Sequence, residues 1–370
     1  MSSGRFVPST SLPQLRWTRA VWLLVVSVSA GCGGGGLIPA LPVAPGADQV
    51  DAESVDARII LIGDGGEVSD RRDQVLATLV TEVGFAPTKT AVVFLGDNVY
   101  DDGLTPPNGT PDQRELLRVQ LAAAAGAAHV IMLPGNHDWY SGGAGLRAQE
   151  AFVESYGANA TFLPDSAGCP GPDAVHVAST ALLVILDTEW IIREGAGTDS
   201  INYRAACPGE TTAGAMAELK RIVDGEQTRQ VFVVAHHPLR TVGRHLCHQW
   251  YRKIIRCGPG DIPHERNVAM RSAIEGALSE NPPFMYAAGH DHSLQLFKSD
   301  TPGKARYMMV SGSVTKATGV STADGLVYAE NASGFMTVDL LDGGRRQLLR
   351  VVQPGGTVRF SCWLDQGCRN

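Results

Sequence analysis

Ala91-Val92-Val93-Phe94-Leu95-Gly96-Asp97-Asn98-Val99-Tyr100 sets the pattern from which the architecture of this chain can be worked out. Five apolar residues follow one another without polar alternation, the pattern of a strand covered on both faces. The run stops at Gly-Asp, where the backbone can turn sharply and leave a carboxylate at the strand's carboxyl end.

The same unit recurs along the chain. Residues 59–62, 130–133, 181–186, 231–235, 284–288 and 307–310 are short apolar runs that read as further buried strands. Helical stretches lie between several of them, at 70–83, 113–125, 214–223 and 267–278. This alternation predicts a layered α/β domain with helices outside its sheets. The end of the chain differs: residues 334–340 and 346–352 flank Asp342-Gly343-Gly344 and predict an antiparallel hairpin. Residues 58–370 therefore read as one domain. The stretch from Tyr156 to Cys207 is loop-rich around one strong strand and reads as a lid or rim.

With 44% hydrophobic residues in 370, the chain can bury a full core. Its 38 acidic against 31 basic residues, with no Lys/Arg cluster, argue against a nucleic-acid scaffold as partner. An anionic substrate would have to be drawn in by bound cations instead.

Arg5, Arg16 and Arg19 precede a short apolar run over residues 20–28, followed by Ser29-Ala30-Gly31-Cys32. This is the layout of a secretory signal, too short to span a bilayer. Cys directly after Ala-Gly resembles the bacterial lipobox, whose thiol is lipidated and becomes the first mature residue. Residues 1–31 then read as a lipoprotein-type signal peptide, residues 32–57 as a flexible tether rich in Gly, Pro and Ala, and the protein as an exported cell-envelope lipoprotein held to a membrane through Cys32. An ordinary signal peptide cleaved nearby, or an uncleaved anchor, is the alternative. Removing residues 1–31 takes three Arg and no acid from a chain of net charge −7, making it more acidic. In an oxidising compartment Cys169, Cys207, Cys247, Cys257, Cys362 and Cys368 read as three disulfides. Connectivity is formally open, although proximity favours Cys247 with Cys257 and Cys362 with Cys368, leaving Cys169 with Cys207.

Five of the apolar runs end at residue types that bind metals: Gly63-Asp64-Gly65-Gly66, Gly96-Asp97-Asn98-Val99-Tyr100, Gly135-Asn136-His137-Asp138, Ala235-His236-His237-Pro238 and Gly289-His290-Asp291-His292. One Gly-Asp after a strand is more often a turn than a ligand. Five such blocks can converge on one crevice where the strands of an α/β sheet end.

In order, these blocks resemble the calcineurin-like metallophosphoesterases over roughly residues 58–340. The first two resemble the small purple acid phosphatase branch, since most relatives carry His two residues after the first Asp, where this chain has Gly66. The resemblance implies an α/β/β/α sandwich and a dinuclear centre, with Asp64, Tyr100 and His292 on one metal, Asn136, His236 and His290 on the other, and Asp97 bridging. A hard, anionic set of two carboxylates and a phenolate suits Fe(III), while imidazoles and an amide suit a divalent Fe, Zn or Mn. Two such ions can generate a bridging hydroxide as nucleophile and clamp a phosphoryl group.

The resemblance also implies that His137 contacts the phosphate or assists the leaving group, and that His245, nine residues after His236, faces the substrate. The expected activity is hydrolysis of phosphate monoesters. Hydrolysis of diesters, in nucleotides or lipid headgroups, is the alternative, and a non-catalytic surface binding protein is a third reading that the filled ligand positions disfavour. Asp187-Thr188 matches no ligand block and reads as turn chemistry or support for a ligand. His237 has no assigned role; His129, His176, His248 and His264 read as surface or satisfied core residues, and Asp101, Asp102 and Asp138 as solvated loop acids, Asp138 with the option of orienting His137.

Overall fold

The structure is a computed structural model that describes residues 43–194, 206–247 and 257–368. The signal segment at 1–31, Cys32 and His248 lie outside the described residues.

Three apolar runs form β1 (Val55–Ile62), β2 (Thr90–Phe94) and β3 (His129–Met132), which lie parallel and are extended by β4 (Ala160–Phe162). Then come β5 (Asp173–Val177), β6 (Ala181–Ile185), β7 (Gln230–Ala235), β8 (Met285–Ala288), β9 (Leu294–Lys298), β10 (Tyr307–Ser311) and β11 (Leu326–Glu330). The chain closes with β12 (Phe335–Leu341), β13 (Arg346–Gln353) and β14 (Thr357–Trp363). Two seven-stranded sheets result, ordered β14-β13-β12-β1-β2-β3-β4 and β11-β9-β10-β8-β7-β6-β5. Parallel strands occupy the centre of each sheet, and β12 pairs antiparallel with β1.

The absence of polar alternation is explained by the layers. Ile59, Leu61, Val93, Leu95 and Ile131 share one buried cluster with Leu183, Ile185, Phe232, Val234 and Met285, so the sheets pack face to face. The intervening residues Ile60, Ile62, Val92 and Phe94 are buried with Val75 and Leu79 of α1 (Asp70–Phe85) and Leu117 and Leu121 of α2 (Pro111–Ala124). Ser69 caps α1, and Thr110 with Gln113 forms a capping box on α2. The expected α/β/β/α sandwich is the observed architecture.

Further helices are α3 (Asn136–Trp139), α4 (Gly142–Tyr156), α5 (Asp165–Gly168), α6 (Thr188–Glu194), α7 (Thr212–Gly225) and α8 (Glu265–Ala277). Helix α4 escapes a periodicity reading because Gly142, Gly143 and Gly145 open it. A Cβ at Gly143 would lie 2.4 Å from the Ala206 Cβ, so close packing demands glycine there. Among its described residues, the rim expected between Tyr156 and Cys207 holds the edge strands β4 and β5 as well as α6.

Two expectations need adjusting. The hairpin is β12–β13, pairing Phe335 with Val352 and Leu341 with Arg346, but β14 adds a third strand, whose polar and apolar residues alternate instead of running continuously apolar. The tether expected over 32–57 ends earlier, since Ala44 and Ala47 are buried against Leu341, Leu348 and Trp363. There the Ala44 N–H donates to Ser361 Oγ at 2.8 Å and Trp363 Nε1 donates to the Pro45 carbonyl at 3.0 Å. Small apolar residues look like linker in sequence yet fill a groove on a sheet. The disulfides are Cys169–Cys207, Cys247–Cys257 and Cys362–Cys368.

Candidate metal centre

The carboxyl ends of β1, β2 and β3 in one sheet meet those of β7 and β8 in the other, because the residues immediately past them are in contact. Asp64, Asp97 and His290 each take a left-handed backbone, with φ of 63°, 53° and 65°. Such φ values in non-glycine residues are held only where surrounding structure enforces them, and they gather at functional sites. Here they turn each donor back across its own strand end.

The flanking glycines serve a purpose other than turning. Only Gly96 has positive φ among those beside the donors at 64, 97, 136 and 290; Gly63, Gly135 and Gly289 are needed for space. A Cβ at Gly135 would lie 2.2 Å from Asp97 Oδ1, and one at Gly289 2.8 Å from Asp64 Oδ2. Gly66, where a His was the alternative, has no room for any side chain: a Cβ would lie 2.6 Å from the Val99 backbone N. Its N–H and carbonyl are tied to Asp97 O and Tyr100 N, which curls the second block over the first.

The donors form two groups. Tyr100 Oη lies 3.1 Å from Asp64 Oδ1, 2.9 Å from Asp97 Oδ2 and 3.3 Å from His292 Nε2. His236 Nε2 lies 3.1 Å from both Asn136 Oδ1 and His290 Nδ1, and 3.5 Å from Asp97 Oδ1. Asp97 thus turns one oxygen to each group. His236 donates through Nδ1–H to the Leu95 carbonyl at 2.8 Å, which directs its Nε2 lone pair inward.

These residues fit a pair of cations. Burial and the charges of Asp64 and Asp97 push the Tyr100 phenol well above its ordinary pKa, so only a strong positive charge could make it an anionic donor. Burial works against protonation of His236 and His292, but the neighbouring carboxylates outweigh it and raise both. Burial holds His290 and His237 neutral, and among the described residues their Nε2 atoms have no hydrogen-bond partner. A cage of converging carboxylate oxygens, a phenol and imidazoles is what a metal pair offsets.

Both proton-transfer candidates border the site. His137 has its Nδ1 against the Asp101 carbonyl, which as an acceptor requires Nδ1–H, so Nε2 faces outward; the ring packs 4.5 Å from Tyr100 and 5.0 Å from Tyr140. His245 lies over His290 with ring centroids 3.9 Å apart, and its Nδ1 meets Asp261 Oδ1 at 2.7 Å.

Several supporting residues were not legible in sequence. Asp138, read there as a solvated acid, is fully buried. Its carboxylate accepts from the backbone N–H groups of Asn98, Val99 and Gly135, so it clasps the second and third blocks together instead of contacting water. Burial and the Asp97 charge raise its pKa to about 7. Asp291, between His290 and His292, accepts from Thr241 Oγ1 and from the N–H groups of Arg244 and His245, fixing the loop that carries His245. Thr188 braces His237, contacting its ring Nδ1 at 3.0 Å, and Asp187 accepts from Trp139 Nε1 at 2.6 Å, so the Asp187-Thr188 pair holds His237 and Trp139 in place. Asp101 and Asp102 are exposed, His129 and His264 half-buried and His176 exposed.

Beside His290 and Asn136 opens a cavity of about 350 Å³, lined also by His137, His245, Tyr140, Arg193, Asp261 and Arg266. The last three come from α6, from the Gly-rich loop after Cys257 and from α8, and no local motif marks them.

Comparison with known proteins gives three results. Residues 57–294 match the family model described as calcineurin-like phosphoesterase. Purple acid phosphatase 17 of Arabidopsis thaliana is 25% identical over 262 residues, which span 70% of this chain and 68% of that protein. The solved structure of GAP50, the anchor in the inner membrane complex of Plasmodium, aligns with a TM-score of 0.57 at 14% identity, over 84% of this chain and 88% of that one, a likeness of fold.

Proposed function

The chain belongs to the calcineurin-like phosphoesterase family of metal-dependent hydrolases, and from that premise we propose that it hydrolyses phosphate monoesters at a two-metal centre held by Asp64, Asp97, Tyr100, Asn136, His236, His290 and His292. The observation that carries this reading is Asp97, whose two oxygens face separate donor groups. We assign the oxygen-rich group of Asp64, Tyr100 and His292 to Fe(III) and the group of Asn136, His236 and His290 to a divalent Fe, Zn or Mn, with Asp97 shared by both. The similarity to a plant purple acid phosphatase supports that assignment. When bound, the metal pair supplies an activated water and neutralises charge on the phosphoryl oxygens.

The protein's own groups provide the rest. His137, held through Nδ1–H, offers Nε2 towards the leaving oxygen, and a positioned acid contributes roughly 10²–10⁴-fold in rate. His245, steadied by Asp261, stands over His290 and borders the same cavity. Buried Asp138 and Asp291 keep these loops from shifting when the substrate enters. The cavity's modest volume favours small monoesters over polymeric diesters. We extend the proposal to export, which the three disulfides support because such bonds persist in oxidising compartments, and to lipidation at Cys32, which rests on the Ala-Gly-Cys sequence alone.

Metal analysis of purified protein, run beside a panel of monoesters and diesters, tests the proposal. Two metals per chain with monoester turnover are expected. A single bound metal, or turnover of diesters alone, would overturn it.

A further inference from the structure

The cavity continues beyond the metal donors along a wall built from α6, the loop after Cys257 and the start of α8. Most charges on it are matched. Arg193 pairs with Glu189 and lies over the Tyr140 ring, and His245 pairs with Asp261. Arg266 is different. It is half-buried, its guanidinium borders the cavity, and among the described residues no acceptor takes that guanidinium.

Its surroundings are rigid. Asn267, fully buried, donates through Nδ2 to the Gly260 carbonyl at 2.8 Å, and Arg271 Nη2 donates to the Ile262 carbonyl at 2.9 Å. The Ile262 N–H donates in turn to the His245 carbonyl at 2.9 Å, and the Cys247–Cys257 disulfide closes the base of the loop. The start of α8 is therefore tied to the loops that carry Asp261 and His245. Arg266 has a fixed origin beside the metal donors, and an unmatched guanidinium presents donors in a planar fork that suits carboxylate or phosphate. A space of about 350 Å³ is near the lower limit for ligand pockets, enough for a phosphate and a compact alcohol.

We propose that Arg266 forms a subsite for an anionic group on the leaving part of the substrate, so that the favoured esters are small phosphomonoesters whose alcohol carries a carboxylate or a second phosphate. This deepens the phosphatase reading and rests on it. No residue of the metal centre discriminates among alcohols; Arg266 does, by matching one charge in the cavity that it borders.

The test compares 3-phosphoglycerate with glycerol 3-phosphate, which share the scissile ester and differ in a carboxylate at the distal carbon. With the metal-loaded protein, kcat/KM should favour 3-phosphoglycerate by roughly tenfold to a hundredfold, the span expected of a hydrogen-bonded charge pair. Arg266→Gln should bring the ratio close to one, and Arg266→Lys should restore part of it. A wild-type ratio near one, or a ratio that survives Arg266→Gln, overturns the subsite while leaving the phosphatase reading in place. Calorimetric binding of both compounds separates the other case. Tighter binding of 3-phosphoglycerate that is lost in Arg266→Gln, without turnover of either compound, keeps the subsite and removes the phosphatase reading. Absence of both removes both.

Discussion

Gly135→Ala is the most direct probe of the bridging role proposed for Asp97, because it alters none of the proposed donors chemically. The added Cβ would lie 2.2 Å from Asp97 Oδ1 and 2.4 Å from the Asp97 backbone N, where ordinary contacts begin at about 3.4 Å. Relief requires Asp97 to retreat by about 1 Å, and a displacement of that size at a reacting centre costs on the order of 10²-fold in rate. Overpacking of this kind also destabilises by about 1–3 kcal/mol. Neither backbone can yield easily, since Gly135 N–H and the Asn98 and Val99 N–H groups share the Asp138 carboxylate. The assay is metal content by mass spectrometry and turnover of a monoester, read beside thermal unfolding. Gly84→Ala, in helix α1 with nothing within 4 Å of the added Cβ, is the matched control and should be stabilising by roughly 0.5–1 kcal/mol. Wild-type metal content and turnover in Gly135→Ala would refute the placement of Asp97 between two ions.

Tyr100→Phe should abolish a visible phenolate-to-iron absorption and weaken retention of the trivalent ion without unfolding the domain; a colourless wild type fully active with Mn or Zn alone would refute the assignment. His137→Ala should lower turnover of alkyl phosphates about 10²-fold or more while sparing aryl esters with good leaving groups; equal losses would make His137 a phosphate-binding residue. Asp187 is buried against Trp139 and Trp190, and burial lifts its pKa from 3.8 to about 8. The folded protein then keeps a proton that the unfolded chain has released, so this residue lowers unfolding free energy by about 1.4 kcal/mol per pH unit as pH rises between roughly 4 and 8. Asp187→Asn should remove that slope in denaturant titrations across the range, and parallel curves for the two proteins would refute a buried neutral acid. Cys32→Ala should shift the protein from the detergent phase to the aqueous phase and remove acyl mass; a soluble, unacylated wild type would refute lipidation.

The buried strands were legible because burial on both faces leaves an uninterrupted apolar run, and residues 91–95 and 231–235 carry that signature with no tertiary information. Elements covered on one face, or lying at a sheet edge, were not. β14 alternates, β4 and β5 are edge strands, and the glycines of α4 hide its periodicity. Asp138 illustrates the corresponding limit at the site, since nothing local distinguishes a solvated loop acid from one that accepts three backbone N–H groups.

That residues of metal-binding type stand at the ends of five apolar runs follows from the order of residues along each strand and turn, and is legible without coordinates. How those ends are arranged depends on packing: Asp97 turns an oxygen to each of two groups because two sheets pack face to face, and Gly135 must be glycine because a neighbouring loop crosses it. The partnership of His245 with Asp261, and an Arg266 charge unmatched among the described residues, belong to the tertiary structure as well. Each depends on loops brought together by a disulfide and by hydrogen bonds between residues distant in sequence, and such contacts leave no periodic trace in the chain.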